Sequence, residues 1–222
     1  AASQAIQSTR INGLQLLACG YQPPNPAELL GSPMMKQILD AIRAHYDVSN
    51  EFYRLWLDEA MTYSCAMWGI SATLEEAQLR KLDFHIDQAR AEGVGRVLDI
   101  GCGWGSLMRR LSDRGAREVV GLTLSTAQAD YIRNLGISGA SVAVQDWRDH
   151  SINSPYDSLI SIGAMEHFVR PELSTRERVG VYRDFFASCK SWLRSGQWMS
   201  LQTSTYGEGG FTHGAISSIF PE

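Results

Sequence analysis

A chain of 222 residues, 44% hydrophobic and 20% charged, is long enough for one α/β domain with a sizeable core and a short extension. Its formal net charge of −4 supplies no basic field, which argues against a nucleic-acid partner. No run approaches the roughly 20 apolar residues of a membrane-spanning helix, the opening AASQAIQSTR holds no signal-like apolar stretch, and the four cysteines are scattered without metal-ligand spacing, so a soluble cytoplasmic protein with reduced thiols is expected.

Along residues 1–22, Ile6, Ile11, Leu14, Leu16 and Leu17 fall at helix-compatible positions interrupted by Asn12-Gly13, which reads as a loosely attached helical arm. YQPPNP, residues 21–26, breaks it, because prolines remove donors and push the preceding residue out of the helical region. Ser32 and Pro33 then supply an N-cap and a first-turn proline for a helix with Met34, Met35, Ile38, Leu39 and Ile42 on its apolar side. Residues 1–44 thus form a helical arm or lid, and 45–222 the main domain. The segment 45–68 is dense in aromatic side chains. Tyr46, Phe52, Tyr53, Trp56, Tyr63 and Trp68 share no single helical stripe, so some line either the core or a pocket for an apolar or cationic ligand. Residues 73–91 read as a helix capped by Thr73, with Leu74, Ala77, Leu82 and Ile86 inward.

RVLDIGCGWGS, residues 96–106, is the most informative stretch. A buried parallel strand runs into Gly101, Gly103 and Gly105, where glycine permits positive φ and close approach of a ligand, and a helix follows from about Trp104. The G-x-G-x-G spacing differs from the G-x-G-x-x-G dinucleotide fingerprint and leads away from NAD. Further strands are expected over 118–124, 140–146, 156–164 and 197–205, with Ser125 capping a helix that runs to Leu135. Alternation of strands and helices implies a largely parallel sheet that binds its ligand beyond the carboxyl ends of the strands. A cofactor there would set an amino-acid part near the glycines and an adenine near Asp146 and Trp147.

HYDVSN, FYRLWLD, MTYSCAMW, LEEAQLRKLD, VLDIGCGWG, VVGLTLSTAQ and ISIGAMEHF together resemble the cyclopropane fatty acid and mycolic acid cyclopropane synthases, S-adenosylmethionine (SAM)-dependent enzymes that methylate alkene carbons. The resemblance spans residues 45–205. It implies a class I SAM-dependent methyltransferase fold with an N-terminal helical extension over the active site, SAM as cofactor and S-adenosylhomocysteine (SAH) as product. It also places Tyr63, Ser64, Gly101, Gly103, Gln128, Trp147 and Ile162 at SAM-contacting positions.

Adding a methyl group to a double bond leaves a carbocation, so the chemistry needs an apolar cavity, exclusion of water and a base. Glu166, in GAMEHF, is the leading carboxylate: a direct base, a ligand for a bicarbonate that serves as base in the resembling synthases, or simply an acid favoured by a helix N-terminus. His167 is read as an orienting residue and Cys65 as part of the family's bicarbonate site. Tyr63 offers its face to the sulfonium. Where the family has a histidine late in the fifth strand, SLQTST sets Gln202, a neutral amide that takes up no proton near neutral pH. This puts bicarbonate in question and favours C-methylation of a small hydrophobic substrate, an isoprenoid, indole or other aromatic, over an unsaturated acyl chain. A catalytically silent SAM-binding scaffold is the reading from another class. The chain stops at an IFPE resembling a segment after which the family continues, so part of the natural chain is expected to be absent. The arm could instead swap onto a partner subunit and give a homo-oligomer.

Overall fold

The computed structural model describes residues 6–8, 15–17, 50–69, 73–169 and 173–204. The chain divides into two compact units, Ala1–Leu55 with Ser204–Glu222, and Trp56–Thr203. In the first unit β1 (Ile6–Ser8) and β2 (Gln15–Leu17) pair antiparallel, Ile6 opposite Leu17, and α1 spans Asn50–Arg54. This corrects the helical arm expected over residues 1–22. Asn-Gly at 12–13 is a reversal signal, and it outweighed the helix-compatible spacing of the leucines. The proline-started helix expected near residues 33–42 lies outside the described residues.

The second unit contains α2 (Leu74–Gln88), β3 (Arg96–Ile100), α3 (Ser106–Asp113), β4 (Glu118–Thr123), α4 (Thr126–Leu135), β5 (Ala140–Val144), β6 (Tyr156–Ile162), α5 (Thr175–Trp192) and β7 (Leu193–Gln202). Short 3-10 turns at Trp147–Asp149 and Met165–His167 follow β5 and β6. The five sheet strands pair in the order β5-β4-β3-β6-β7, every pair parallel. Strand order reverses beside β3, at the edge where an open α/β sheet leaves a crevice.

Side chains alternate across β3, so the sheet serves two cores. Val97 joins Leu82, Ile86, Leu107, Met108, Leu111 and Ile132 on the face covered by α2, α3 and α4. Leu98 and Ile100 join Leu159, Phe185, Cys189 and Trp192 on the α5 face. Three side-chain caps start helices as their sequences suggest: Thr73 accepts from Glu76 N, Ser125 from Gln128 N, and Ser174 forms a reciprocal box with Glu177. Asp83 on α2 grips Arg110 of α3 in a two-pronged ion pair, both N–H···O distances 2.8 Å, which fixes the angle between these helices.

Several strands and α2 end one to three residues earlier than expected, and the starts of two elements move. β7 begins at Leu193, directly where α5 ends, and not at 197. Its first half, LRSGQ, is mostly exposed, and so lacks the apolar run that marked the other strands. α3 starts at Ser106 because Gly105, at φ 84°, sits in the left-handed region at the N-cap, which leaves Trp104 in the turn.

Phe185 is fully buried and packs its ring against Trp147, Phe168 and Phe186 at 5.3, 4.9 and 5.4 Å. Phe185→Ala is expected to lower unfolding free energy by about 3–5 kcal/mol, read from urea denaturation curves.

Candidate active site

The carboxyl ends of β3, β4 and β6 open onto a cavity of about 340 Å³. The glycine turn forms its floor. Gly101 N and Cys102 N both donate to Leu122 O at 2.9 Å, closing the end of β3 onto β4. Gly101 and Gly103 adopt φ of 82° and 53°, and a Cβ at 101 would stand 2.5 Å from the Ala164 Cβ. Only glycine satisfies both constraints there. On the β4 side the Thr123 hydroxyl donates to Gln128 Oε1 at 2.6 Å, so Gln128 is held in place by the strand end and is no idle first-turn residue.

The opposite wall is the loop of residues 61–65, and its shape is imposed from two directions. Buried Asp58 accepts from Thr62 N at 2.6 Å and from the Thr62 hydroxyl at 3.0 Å. Met61 takes φ 58° beneath this clamp, a conformation that costs a side-chain-bearing residue about 1 kcal/mol or more. From below, α2 presents Gln78, Lys81 and His85, all nearly inaccessible to solvent. Gln78 Nε2 donates to Thr62 O (3.2 Å) and Ser64 O (2.8 Å), and Lys81 Nζ donates to Ser64 Oγ at 2.5 Å. Burial pushes the Lys81 amine down to about 8, against the opposing pull of Cys65 and Asp58. His85 Nδ1 lies 2.7 Å from Ser200 Oγ and its Nε2 3.1 Å from Gln202 Oε1. Gln202 Nε2 in turn donates to Cys65 Sγ at 3.1 Å.

All eight residues expected to contact a cofactor line this one cavity: Tyr63, Ser64, Gly101, Gly103, Gln128, Asp146, Trp147 and Ile162. His167 lines it too. Cys65 and Glu166 are not among its lining residues: Cys65 is exposed on the 61–65 loop, and Glu166 Oε1 lies 3.9 Å from where a Cβ on the lining Gly163 would stand. Glu166 Oε2 accepts from the Thr203 hydroxyl at 2.9 Å, one residue beyond the Gln202 that contacts Cys65. The roles of the aromatics differ. Tyr63 is 61% exposed and meets Trp56 and Trp104 edge-on at 5.5 and 6.1 Å. Trp147 is mostly core, wedged against Phe168 and Phe185. Asp146 is partly engaged, accepting from Arg148 N at 2.8 Å and pairing with its guanidinium.

Two buried polar atoms on cavity-lining residues lack a hydrogen-bond partner, Asp99 Oδ2 and Trp147 Nε1. Burial alone lifts the Asp99 carboxyl to about 7. An orphaned carboxylate beside a glycine cradle suits a cationic amino-acid group, and the orphaned indole N–H suits an acceptor nitrogen.

Sequence reasoning missed Gln78, Lys81 and His85. Their i, i+3, i+7 spacing was available, and it places three polar groups along one helix face beside Ala77, Leu82 and Ile86. The apolar stripe was read as the whole of the inward face.

A family model described as mycolic acid cyclopropane synthetase matches residues 34–220. Cyclopropane mycolic acid synthase 2 of Mycobacterium bovis is 42% identical over 140 residues, covering 60% of this chain and 46% of that protein. Cyclopropane mycolic acid synthase 3 of Mycobacterium tuberculosis is 41% identical over 133 residues, 57% of this chain and 46% of that protein. The chain therefore spans about half the length of these relatives. Among solved structures, mycolic acid cyclopropane synthase CmaA1 complexed with SAH and CTAB aligns with TM-score 0.61 and 36% identity, over 73% of this chain and 55% of that one. Coclaurine N-methyltransferase, at 22% identity and TM-score 0.59 over 78% of this chain and 52% of that one, shares the fold. The sheet and its flanking helices are the class I SAM-dependent methyltransferase fold. No described helix is long and apolar enough to cross a membrane.

The Asp99 assignment has a thermodynamic signature. Its folded pKa of about 7 exceeds the ordinary 3.8, so its contribution to stability is fully present below 3.8 and is lost as pH rises through 7. Asp99→Asn removes this loss. The stability of the variant relative to wild type should rise between pH 5 and 7, by at most about 1.4 kcal/mol per pH unit, and level off above. Paired urea titrations across that range check it.

Proposed function

Because this chain belongs to the mycolic acid cyclopropane synthetase family, we propose that it is a SAM-dependent enzyme that transfers a methyl group to a double-bond carbon of an unsaturated acyl chain. The observation that carries this reading is the convergence of the eight residues expected at a cofactor on one cavity at the strand ends. Its volume of about 340 Å³ falls in the range of small-molecule and cofactor sites. The small hydrophobic substrate favoured on the sequence alone now takes second place, since the relatives are named for cyclopropane and mycolic acid chemistry. It keeps one supporting observation, Gln202 where those synthases resemble one another in having histidine.

The residues fit SAM in chemistry as well as in space. Gly101 and Gly103 let the backbone approach its amino-acid part, Asp99 answers its ammonium, Ser64 its carboxylate, and Trp147 and Asp146 its adenine. When bound, SAM supplies an electrophilic methyl group on a sulfonium. Tyr63, which meets Trp56 and Trp104 edge-on, would offer an aromatic face to that positive charge. Addition of the methyl group to one alkene carbon leaves a cation on the other. Glu166 takes the proton released, and loss from the added methyl group closes a cyclopropane while loss from the chain leaves a methylated alkene. The Thr203 hydroxyl holds the Glu166 carboxylate in place. The Thr203 hydroxyl is engaged by Glu166, and Gln202 Nε2 gives one N–H to Cys65 and keeps a second; Glu166, the carboxylate so held, is assigned as base.

Incubation with methyl-labelled SAM and vesicles of cis-unsaturated phospholipid should add one CH₂ to an acyl chain. Label appearing on a prenyl diphosphate or indole instead would favour the second reading, and absence of SAM binding would return the scaffold. Glu166→Gln is expected to slow transfer by about 100-fold or more, with SAH affinity by calorimetry unchanged. Full turnover in this variant would remove Glu166 from the chemistry.

A further inference from the structure

His85 is absent from every cofactor-contact and acid–base role assigned above, yet it is 2% exposed and sits one hydrogen bond behind Gln202. A carboxamide oxygen only accepts, so the 3.1 Å contact to Gln202 Oε1 requires the proton on His85 Nε2. The neutral ring then accepts a hydrogen bond from the Ser200 hydroxyl at Nδ1, over 2.7 Å. Burial pushes the imidazole down to about 4, so it stays neutral and its tautomer stays fixed at physiological pH. With its oxygen held inward, Gln202 must turn its N–H groups outward, and one of them reaches Cys65 Sγ at 3.1 Å.

The neighbouring residue repeats the polarity: the Thr203 hydroxyl donates to Glu166 at 2.9 Å. The end of β7 and the residue after it therefore donate to Cys65 and to Glu166. A glutamine without such a partner can flip its amide at little cost. Here a flip would bring an acceptor oxygen to Cys65 Sγ and take the donated hydrogen bond away from it.

We propose that His85 is a positioning residue for the methyl-transfer reaction, locking the Gln202 carboxamide so that the end of β7 donates to Cys65, as the residue after it does to Glu166. The inference rests on the methyl-transfer reading of the site. It explains how a strand end that carries a neutral amide keeps a fixed polarity: the imidazole stands on α2 and acts through the amide. Ser200, on the same strand, is the second anchor that keeps the ring from turning.

The test compares wild type with His85→Leu, His85→Gln, Gln202→Leu and the double variant His85→Leu/Gln202→Leu. Each is assayed for single-turnover label transfer from methyl-labelled SAM to dioleoyl phospholipid vesicles, for SAH affinity, and for the iodoacetamide alkylation rate of Cys65 by peptide mapping. His85→Leu is expected to slow transfer about tenfold, as is Gln202→Leu, with the double variant no slower than either, since both break one chain of hydrogen bonds. His85→Gln, which keeps an N–H donor for Gln202 Oε1, should recover most of the rate. SAH affinity should hold in all four. Cys65 alkylation should fall several-fold in His85→Leu, because a hydrogen bond donated to sulfur favours the reactive thiolate. Multiplicative losses in the double variant, a wild-type rate in His85→Leu, or unmoved Cys65 alkylation would each overturn the proposal. Absence of label transfer in wild type would fell the methyl-transfer reading instead, and the alkylation rates would then decide alone whether His85 sets Gln202.

Discussion

The wall of the cavity depends on three polar side chains that α2 carries into the interior. Gln78, Lys81 and His85 would each cost several kcal/mol to bury without partners. Each finds its partner outside α2: two backbone carbonyls of the 61–65 loop, the Ser64 hydroxyl, and the Ser200–Gln202 end of β7. The helix is thereby tied by directional bonds to the segments that present Tyr63, Ser64, Cys65 and Gln202. An apolar face would pack against the same loop without fixing its conformation. The strained φ at Met61 persists because Asp58 and Gln78 hold the loop from both sides.

Facing this wall is the glycine turn, which is built by opposite means. Few side chains hold it; tight sterics do. Gly101 lies against Ala164, Gly105 against Ile132, and Gly121 on the adjoining strand against Met108 and Cys102, so that added Cβ atoms would collide at each. The turn is rigid through close packing and its partner wall through hydrogen bonds. Between them stands Asp99, a carboxyl kept in a desolvated place where one of its oxygens has no protein partner. Such a group lowers stability in its charged form and is best accounted for by a cationic ligand.

The glycine turn, the βα alternation and the Thr73 and Ser125 caps were legible because each depends on neighbours in sequence. The same is true of the cofactor wall, whose residues occur in compact motifs. Two kinds of feature were hidden. The first half of β7 is polar because it lies exposed, so no periodicity marks it, and only Leu193 of that half pairs with β6 before a register shift; the regular ladder runs from Trp198. The N-terminal strands were hidden by leucines whose spacing fits a helix as well as a hairpin. The polar stripe of α2 was harder still. Lys81 reads as a surface residue in any single sequence, and only the fold shows that it ends on Ser64, and His85 on a residue 117 positions away.

The central claim is that this stripe shapes a cofactor site, and Lys81 tests it most directly because it reaches the cavity only through Ser64. The measurement is SAH affinity by calorimetry for wild type and Lys81→Met, with thermal melts to confirm that both fold. Micromolar binding in wild type and a loss of about tenfold or more in the variant, which still melts cooperatively, is the result the account predicts. Equal affinity in the two folded proteins would contradict it.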